Sequence, residues 1–282
     1  MLKQRIITAL ILAPLVIAGI FLLPLNAFII AIAAITLIGC WEWTQFIDAP
    51  SRIQSMIIPV VALVLSFFIL PFDAPSLLTV TASHYVMLAI GGFWWIIVSL
   101  LVIGYPDSQR YWIKSNLLRQ LMGLLTMLPF LWSMLLLRSM GGEEQPYLGA
   151  KVVLLVCLLV WSADSGAYFS GKRFGKNKMA PKVSPNKTLE GLLGGTIAAI
   201  LVTWIGAHLM NIPFSNLGMM FVIAAITVVA SVMGDLAESM FKRVSGIKDS
   251  GTILPGHGGI LDRIDSLTAA IPVFALLYFW LG

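Results

Sequence analysis

Residues 152–169 read VVLLVCLLVWSADSGAYF. An unbroken apolar stretch from Val152 to Trp161 meets Ser162-Ala163-Asp164-Ser165-Gly166, then turns apolar again at Ala167-Tyr168-Phe169. The stretch has the ~17–25 residues with which a helix crosses about 30 Å of hydrocarbon. Comparable runs lie at 6–23, 25–46, 56–70, 85–103, 121–137, 189–209, 217–236 and 267–281. The whole chain is 59% hydrophobic and only 11% charged, roughly half the charged share of a soluble domain. The sequence therefore predicts an all-α, polytopic integral membrane protein of about nine transmembrane helices, with eight as the nearest alternative. The runs at 56–70 and 267–281 are short, so their helices are expected to extend into flanking polar residues.

The first run follows Lys3 and Arg5 and has a signal-peptide look. It is long, lacks a convincing small-residue cleavage site and leads at once into a second span, so it reads as a retained signal-anchor. With the N-terminus cytoplasmic, all but two of the eighteen Lys and Arg residues fall on the inner side; Arg138 and Lys151 are the exceptions. That asymmetry is the positive-inside signature, and the segments 72–84 and 211–216 hold neither Lys nor Arg. Cys40 and Cys157 lie inside apolar runs without metal-ligand spacing. They read as small hydrophobes packed between helices.

The two halves differ in character. Residues 1–150 read as a scaffold of about five spans. Glu42, between Trp41 and Trp43, reads as an interfacial anchor flanked by amphipathic indoles, with a contribution to a site as the alternative. His84 and His208 read as solvated or interfacial residues near the outer surface. Residues 151–282 read as the catalytic region, with cytoplasmic basic and Gly-rich loops. Asp164 interrupts its span, Asp235 and Glu238 lie at the end of the 217–236 run, and Asp262 and Asp265 just precede the last. One acid at membrane depth is most simply paired with a nearby cation; several at one face indicate function. The basic loop at 171–187 reads either as a positive-inside and anionic-lipid patch or as a wall receiving phosphates. Its Ser184-Pro185 step gives an N-cap and first-turn signal for the following helix, with Lys187 and Glu190 at the mouth of that helix.

Residues 239–265 read SMFKRVSGIKDSGTILPGHGGILDRID. Lys242, Arg243, Lys248 and Arg263 could neutralise a polyphosphate. Gly256, Gly258 and Gly259 would let backbone N–H groups approach oxyanions closely. Asp262 and Asp265, at i and i+3, share a helical face, and Asp235 and Glu238 repeat that spacing. Hard oxygen ligands beside phosphates suit Mg²⁺, which uses one or two carboxylates plus phosphate oxygens and water. Cationic clamp, Gly-rich cradle and acidic metal site together describe phosphoryl or nucleotidyl transfer.

This segment resembles the signature of the phosphatidate cytidylyltransferase (CDP-diacylglycerol synthase) family at Ser239, Lys242-Arg243, Lys248-Asp249, His257-Gly258-Gly259, Asp262-Arg263 and Asp265. The resemblance extends to Asp164-Ser165-Gly166-Ala167-Tyr168, to Lys187-Thr188-Leu189-Glu190-Gly191, and to length and multiple spans. It implies transfer of cytidylyl from CTP to phosphatidic acid, giving CDP-diacylglycerol and pyrophosphate for phospholipid biosynthesis in a Gram-negative inner membrane. It further implies Mg²⁺, with a second cation as an open alternative, and makes Asp235 and Asp262 the first metal ligands and Asp265 a third. Lys248, Asp249, His257 and Arg263 are then the expected catalytic group, His257 as a phosphate donor or a structural loop residue, and Asp249 and Ser250 as residues that order the loop. Lys187, Lys242, Arg243, Gly256, Gly258 and Gly259 are the expected substrate contacts. Membrane lipids are the expected surroundings, a homodimer fits the resemblance, and nucleic acid is not an expected partner. Two rivals stand beside this reading: a CTP-dependent lipid kinase, which would yield CDP rather than a CDP-lipid, and an ion-coupled transporter. A transporter predicts midplane acids and inverted repeats, whereas these acids gather at one surface.

Overall fold

The computed structural model describes residues 2–254, 256 and 258–282, with side chains from residue 10 onward. Helices α1 (Leu2–Leu22), α2 (Leu25–Trp43), α3 (Arg52–Ser55), α4 (Ile57–Ile69), α5 (Ala74–Thr79), α6 (Ala82–Ile103) and α7 (Asn116–Arg138) make the first half. Helices α8 (Leu148–Phe174), α9 (Leu189–Met210), α10 (Leu217–Val244) and α11 (Leu261–Leu281) make the second. Among the described residues eight helices are long and apolar enough to cross a membrane, α3 and α4 counting as one span over Arg52–Ile69. Helix α1 adds a shorter apolar segment, Leu10–Leu22. The chain is an all-α polytopic membrane protein. Both short runs extend as expected, into Arg52 at one and Leu261 at the other.

Polar side chains start several helices. Ser115 accepts from Leu118 N at 3.1 Å, Thr188 from Gly191 N at 3.1 Å and Asn216 from Met219 N at 2.9 Å, each satisfying an N–H that the helix itself cannot. Two expectations need correction here. Ser184-Pro185 does not start α9, because Lys178–Ala180 (β1) and Ser184–Thr188 (β2) pair as an antiparallel hairpin and the cap moves to Thr188. His84 is fully buried, not solvated: its Nδ1 lies 3.2 Å from Thr81 N and its Nε2 2.9 Å from Pro71 O.

Indole N–H groups tie the scaffold together, as is usual for buried Trp, though Trp112 Nε1 meets no partner among the described residues. Trp43 donates to Arg119 O (2.9 Å), Trp94 to Thr126 Oγ1 (3.0 Å), Trp95 to Thr268 O (3.0 Å) and Trp132 to Ser66 Oγ (3.1 Å). Helices α8 and α9 meet instead through small residues. A Cβ on Gly166 would stand 2.7 Å from Ala198 Cβ, and one on Gly195 2.6 Å from Ala163 O, so the two backbones touch. Lipid offers no hydrophobic drive to hold helices together, and close van der Waals approach takes its place.

Candidate active site

The acids meet at one end of the bundle because α10 and α11 lie backbone to backbone there. A Cβ on Gly234 would sit 2.7 Å from Asp265 O and 3.3 Å from Ser266 Cα. The neighbouring Asp235 pairs with Lys187 at the end of β2, Nζ to Oδ2 at 2.8 Å, and takes a longer bond from Ser239 Oγ at 3.3 Å. Asp164 of α8 stands within electrostatic reach of both Asp235 and Lys187. Two turns along α10, Lys242 lies between two acids, 2.7 Å from Glu238 Oε2 and 2.8 Å from Asp262 Oδ1. Helix α10 continues to Val244, so Asp235 and Glu238 sit inside it rather than at its end, and Asp262 and Asp265 belong to the first turns of α11.

The described residues between α10 and α11 reach these acids through Ser250 and Gly259. Asp262 Oδ2 accepts from Ser250 N (2.9 Å) and Gly259 N (2.7 Å). Leu254 N donates to Gly258 O at 2.9 Å, and the turn uses positive φ at Gly256 (76°) and Gly258 (85°), which L side chains rarely adopt. Beneath lies an aromatic floor in which Trp43, Phe46 and Trp112 gather around Phe241, the residue before Lys242, at centroid distances of 4.8, 5.8 and 5.0 Å. The hairpin flanks the site. Glu190 holds its start through Lys176 N and Asn177 N, and Arg243 Nε donates to Val183 O at 3.3 Å.

The structure thus gathers Lys187, Asp235, Lys242, Asp262 and Asp265 with Glu238 and Asp164. Arg243, Lys248, Asp249 and Arg263 stand exposed around them, as a polyphosphate would require of residues that reach it from solvent. Gly256 and Gly258 supply the turn, but the Gly259 N–H is directed onto Asp262 rather than outward. His257 lies outside the described residues. Among the described residues no three His, Cys, Asp or Glu side chains form a ready-made metal site. The donor chemistry still suits a hard cation: Glu238 Oε1 is buried and meets no hydrogen-bond donor among the described residues, and its carboxylate neighbours are Asp265 and Asp262.

Of three residues at the α2 end and the loop, Gln45 was not singled out in the sequence, Ser250 read only as ordering the loop, and Glu42 read first as an interfacial anchor with a site contribution as the alternative. Glu42 Oε1 accepts from Ile260 N at 3.0 Å and Oε2 from Leu261 N at 2.6 Å, while Ser250 Oγ lies 3.3 Å from Oε2. Gln45 Nε2 also donates to Ser250 O. For Glu42 the signal was a carboxylate at the end of an apolar run, which an interfacial anchor explained more simply.

The profile of the Cytidylyltransferase family matches residues 3–281. The chain is 43% identical to the Phosphatidate cytidylyltransferase of Haemophilus influenzae, covering 99% of both chains. It is 44% identical to that of Pseudomonas aeruginosa, covering 100% of this chain and 98% of the relative. A Staphylococcus epidermidis protein of the same name is 32% identical over 96% of this chain and 95% of its own.

Proposed function

The chain belongs to the cytidylyltransferase family, and on that premise we propose that it transfers cytidylyl from CTP to phosphatidic acid, giving CDP-diacylglycerol and pyrophosphate. The observation that carries the reading is Asp262, which takes Ser250 N and Gly259 N of the Gly-rich loop on one oxygen and Lys242, itself paired with Glu238, on the other. The attacking group is the phosphate oxygen of phosphatidic acid, already an oxyanion, so no enzyme nucleophile is needed. It forms a bond to the α-phosphorus of CTP while the bond to the bridging oxygen breaks, and pyrophosphate leaves carrying that electron pair. The protein's task is positioning and charge neutralisation.

Lys248, Arg243 and Arg263 are exposed and can swing onto the triphosphate. Lys242 is held between two carboxylates, so its first effect is on the acids. Lys187, beside Asp164 and Asp235 on the α8–α9 side, suits the lipid phosphate. Asp249, next to Gly258, orders the loop, and His257 is either a phosphate donor or a structural residue of that loop. Mg²⁺ would neutralise the phosphate oxygens and the charge developing on pyrophosphate. Asp235, Asp262 and Asp265 would hold it. Asp235 has only side-chain donors to give up and Asp265 Oδ1 a single backbone one, from Ser266 N. Asp262 can offer only Oδ1, because two backbone N–H groups hold Oδ2.

The family resemblance supports an inner-membrane setting, and the charge asymmetry of the sequence a cytoplasmic N-terminus and active site, so that phosphatidic acid enters laterally from the inner leaflet. A homodimer, expected from the family resemblance, is checked by light scattering of the purified protein. The function is tested by incubating purified protein with phosphatidic acid, CTP and Mg²⁺. Pyrophosphate and a CDP-lipid should appear together; absence of both across lipid and detergent conditions contradicts the proposal.

A further inference from the structure

Helix α11 carries Asp262 in its first turn, yet its own N-cap, Ile260, supplies no side-chain cap. The first N–H groups of a helix need acceptors and favour negative charge. Here the acceptor is Glu42, from the far end of α2. Glu42 is 1% exposed, and its carboxylate receives Ile260 N and Leu261 N, one on each oxygen. The same oxygens sit against the loop so closely that a Cβ on Gly259 would stand 2.5 Å from both of them.

From Glu42 a hydrogen-bonded chain runs to Asp262. Ser250 Oγ lies 3.3 Å from Glu42 Oε2 and accepts from Asp262 N at 3.2 Å, while Ser250 N donates to Asp262 Oδ2 at 2.9 Å. Ser250 is fully buried, and Gln45, one turn beyond Glu42, holds its carbonyl. Arg52 lies within electrostatic reach of Glu42, but stacks over Trp41 with its guanidinium carbon 4.3 Å from the ring centroid. Glu42 is therefore committed to the loop and to α11.

We propose that Glu42 is a positioning residue, by which the N-terminal scaffold fixes the Gly-rich loop and the α11 start so that Asp262 and Lys242 keep their mutual geometry. This rests on the cytidylyl-transfer reading of the same site. Outer hydrogen-bond partners of a metal or phosphate site typically cost ~10–100-fold in metal affinity or activity when removed.

The test uses full-length Glu42→Gln, Ser250→Ala and the double variant, beside wild type. The amide keeps one acceptor but turns an NH₂ toward backbone N–H groups. Wild type serves as the control: if it makes no CDP-lipid, the function reading fails rather than this one. With active wild type, Glu42→Gln should lower kcat about 10–100-fold and raise the Mg²⁺ concentration for half-maximal rate, with the KM for phosphatidic acid unmoved. Ser250→Ala should act in the same direction, and the double variant should fall no further than the worse single one. Hydrogen exchange in metal-free protein should speed up at 250–262 in Glu42→Gln. If Glu42→Gln misfolds, Ser250→Ala with unchanged kcat and Mg²⁺ dependence overturns the proposal. Folded Glu42→Gln with wild-type rates and exchange, or fully additive effects, also overturns it.

Discussion

Replacing Gly259 with Ala adds one methyl where the structure leaves no room. The new Cβ would stand 2.5 Å from both Glu42 oxygens and from Ser250 Oγ, where ordinary contact begins at 3.4 Å. The shortfall is about 0.9 Å (3.4 less 2.5), and the neighbours are fixed, since Glu42 is held by Ile260 N and Leu261 N and Ser250 by Gln45. Either Glu42 withdraws or the loop lifts. Withdrawal weakens bonds to a charged group worth ~1.5–3 kcal/mol each. Lifting displaces the Gly259 N–H that holds Asp262, and a misplacement of ~1 Å costs about 10²-fold in rate. The expected outcome is kcat about 10²-fold lower and thermal unfolding at a lower temperature, measured in detergent by pyrophosphate release and a melting scan. Gly246→Asn is the control in the same loop. Gly246 also has positive φ (67°), but meets nothing within 4 Å, and Asn tolerates that backbone. It should keep wild-type rates. Gly259→Ala with wild-type turnover and melting would refute the packing of Glu42 against the loop.

Lys242→Met should strand Glu238 and Asp262 without their cation, and breaking such a buried pair costs about 3–5 kcal/mol; Lys242→Met with Glu238→Gln should recover part of that in a denaturation series, and no recovery would remove the pairing argument. Asp235→Asn and Asp262→Asn should each lower kcat at least ~10²–10³-fold while remaining folded, the scale for losing one preorganised electrostatic group; wild-type rates with an unshifted Mg²⁺ dependence would make those acids structural. In a background lacking Cys40 and Cys157, Lys178→Cys should label only from the cytoplasmic side and Ser215→Cys only from the opposite side. Labelling of both from one side would reject the alternation of spans between them.

The spans were legible because hydrocarbon demands long apolar runs, and composition records that demand directly. Even the extension of the third span to Arg52 and of the last to Leu261 followed from length alone. What failed depended on contacts that composition and short motifs do not record. Ser184-Pro185 carries a cap signal, but pairing of Ala180 with Ser184 draws it into a strand. His84 looks interfacial until Thr81 and Pro71 are seen to use both its nitrogens. Most acids and cations of the candidate site could be singled out by type and spacing within 235–265. Their pairing could not, since Lys187 reaches Asp235 from another element and Lys242 bridges two helices. Glu42 was hardest, because its partners lie 218 and 219 residues away.

The central claim is attack at the α-phosphorus of CTP by a lipid phosphate, and the label position reports it directly. Purified protein is given phosphatidic acid, Mg²⁺ and CTP carrying radioactive phosphorus at either the α or the γ position. The account predicts α-label in the chloroform-soluble CDP-lipid and γ-label only in pyrophosphate. Label from the γ position in the lipid, with CDP released, would contradict it and identify a CTP-dependent lipid kinase instead.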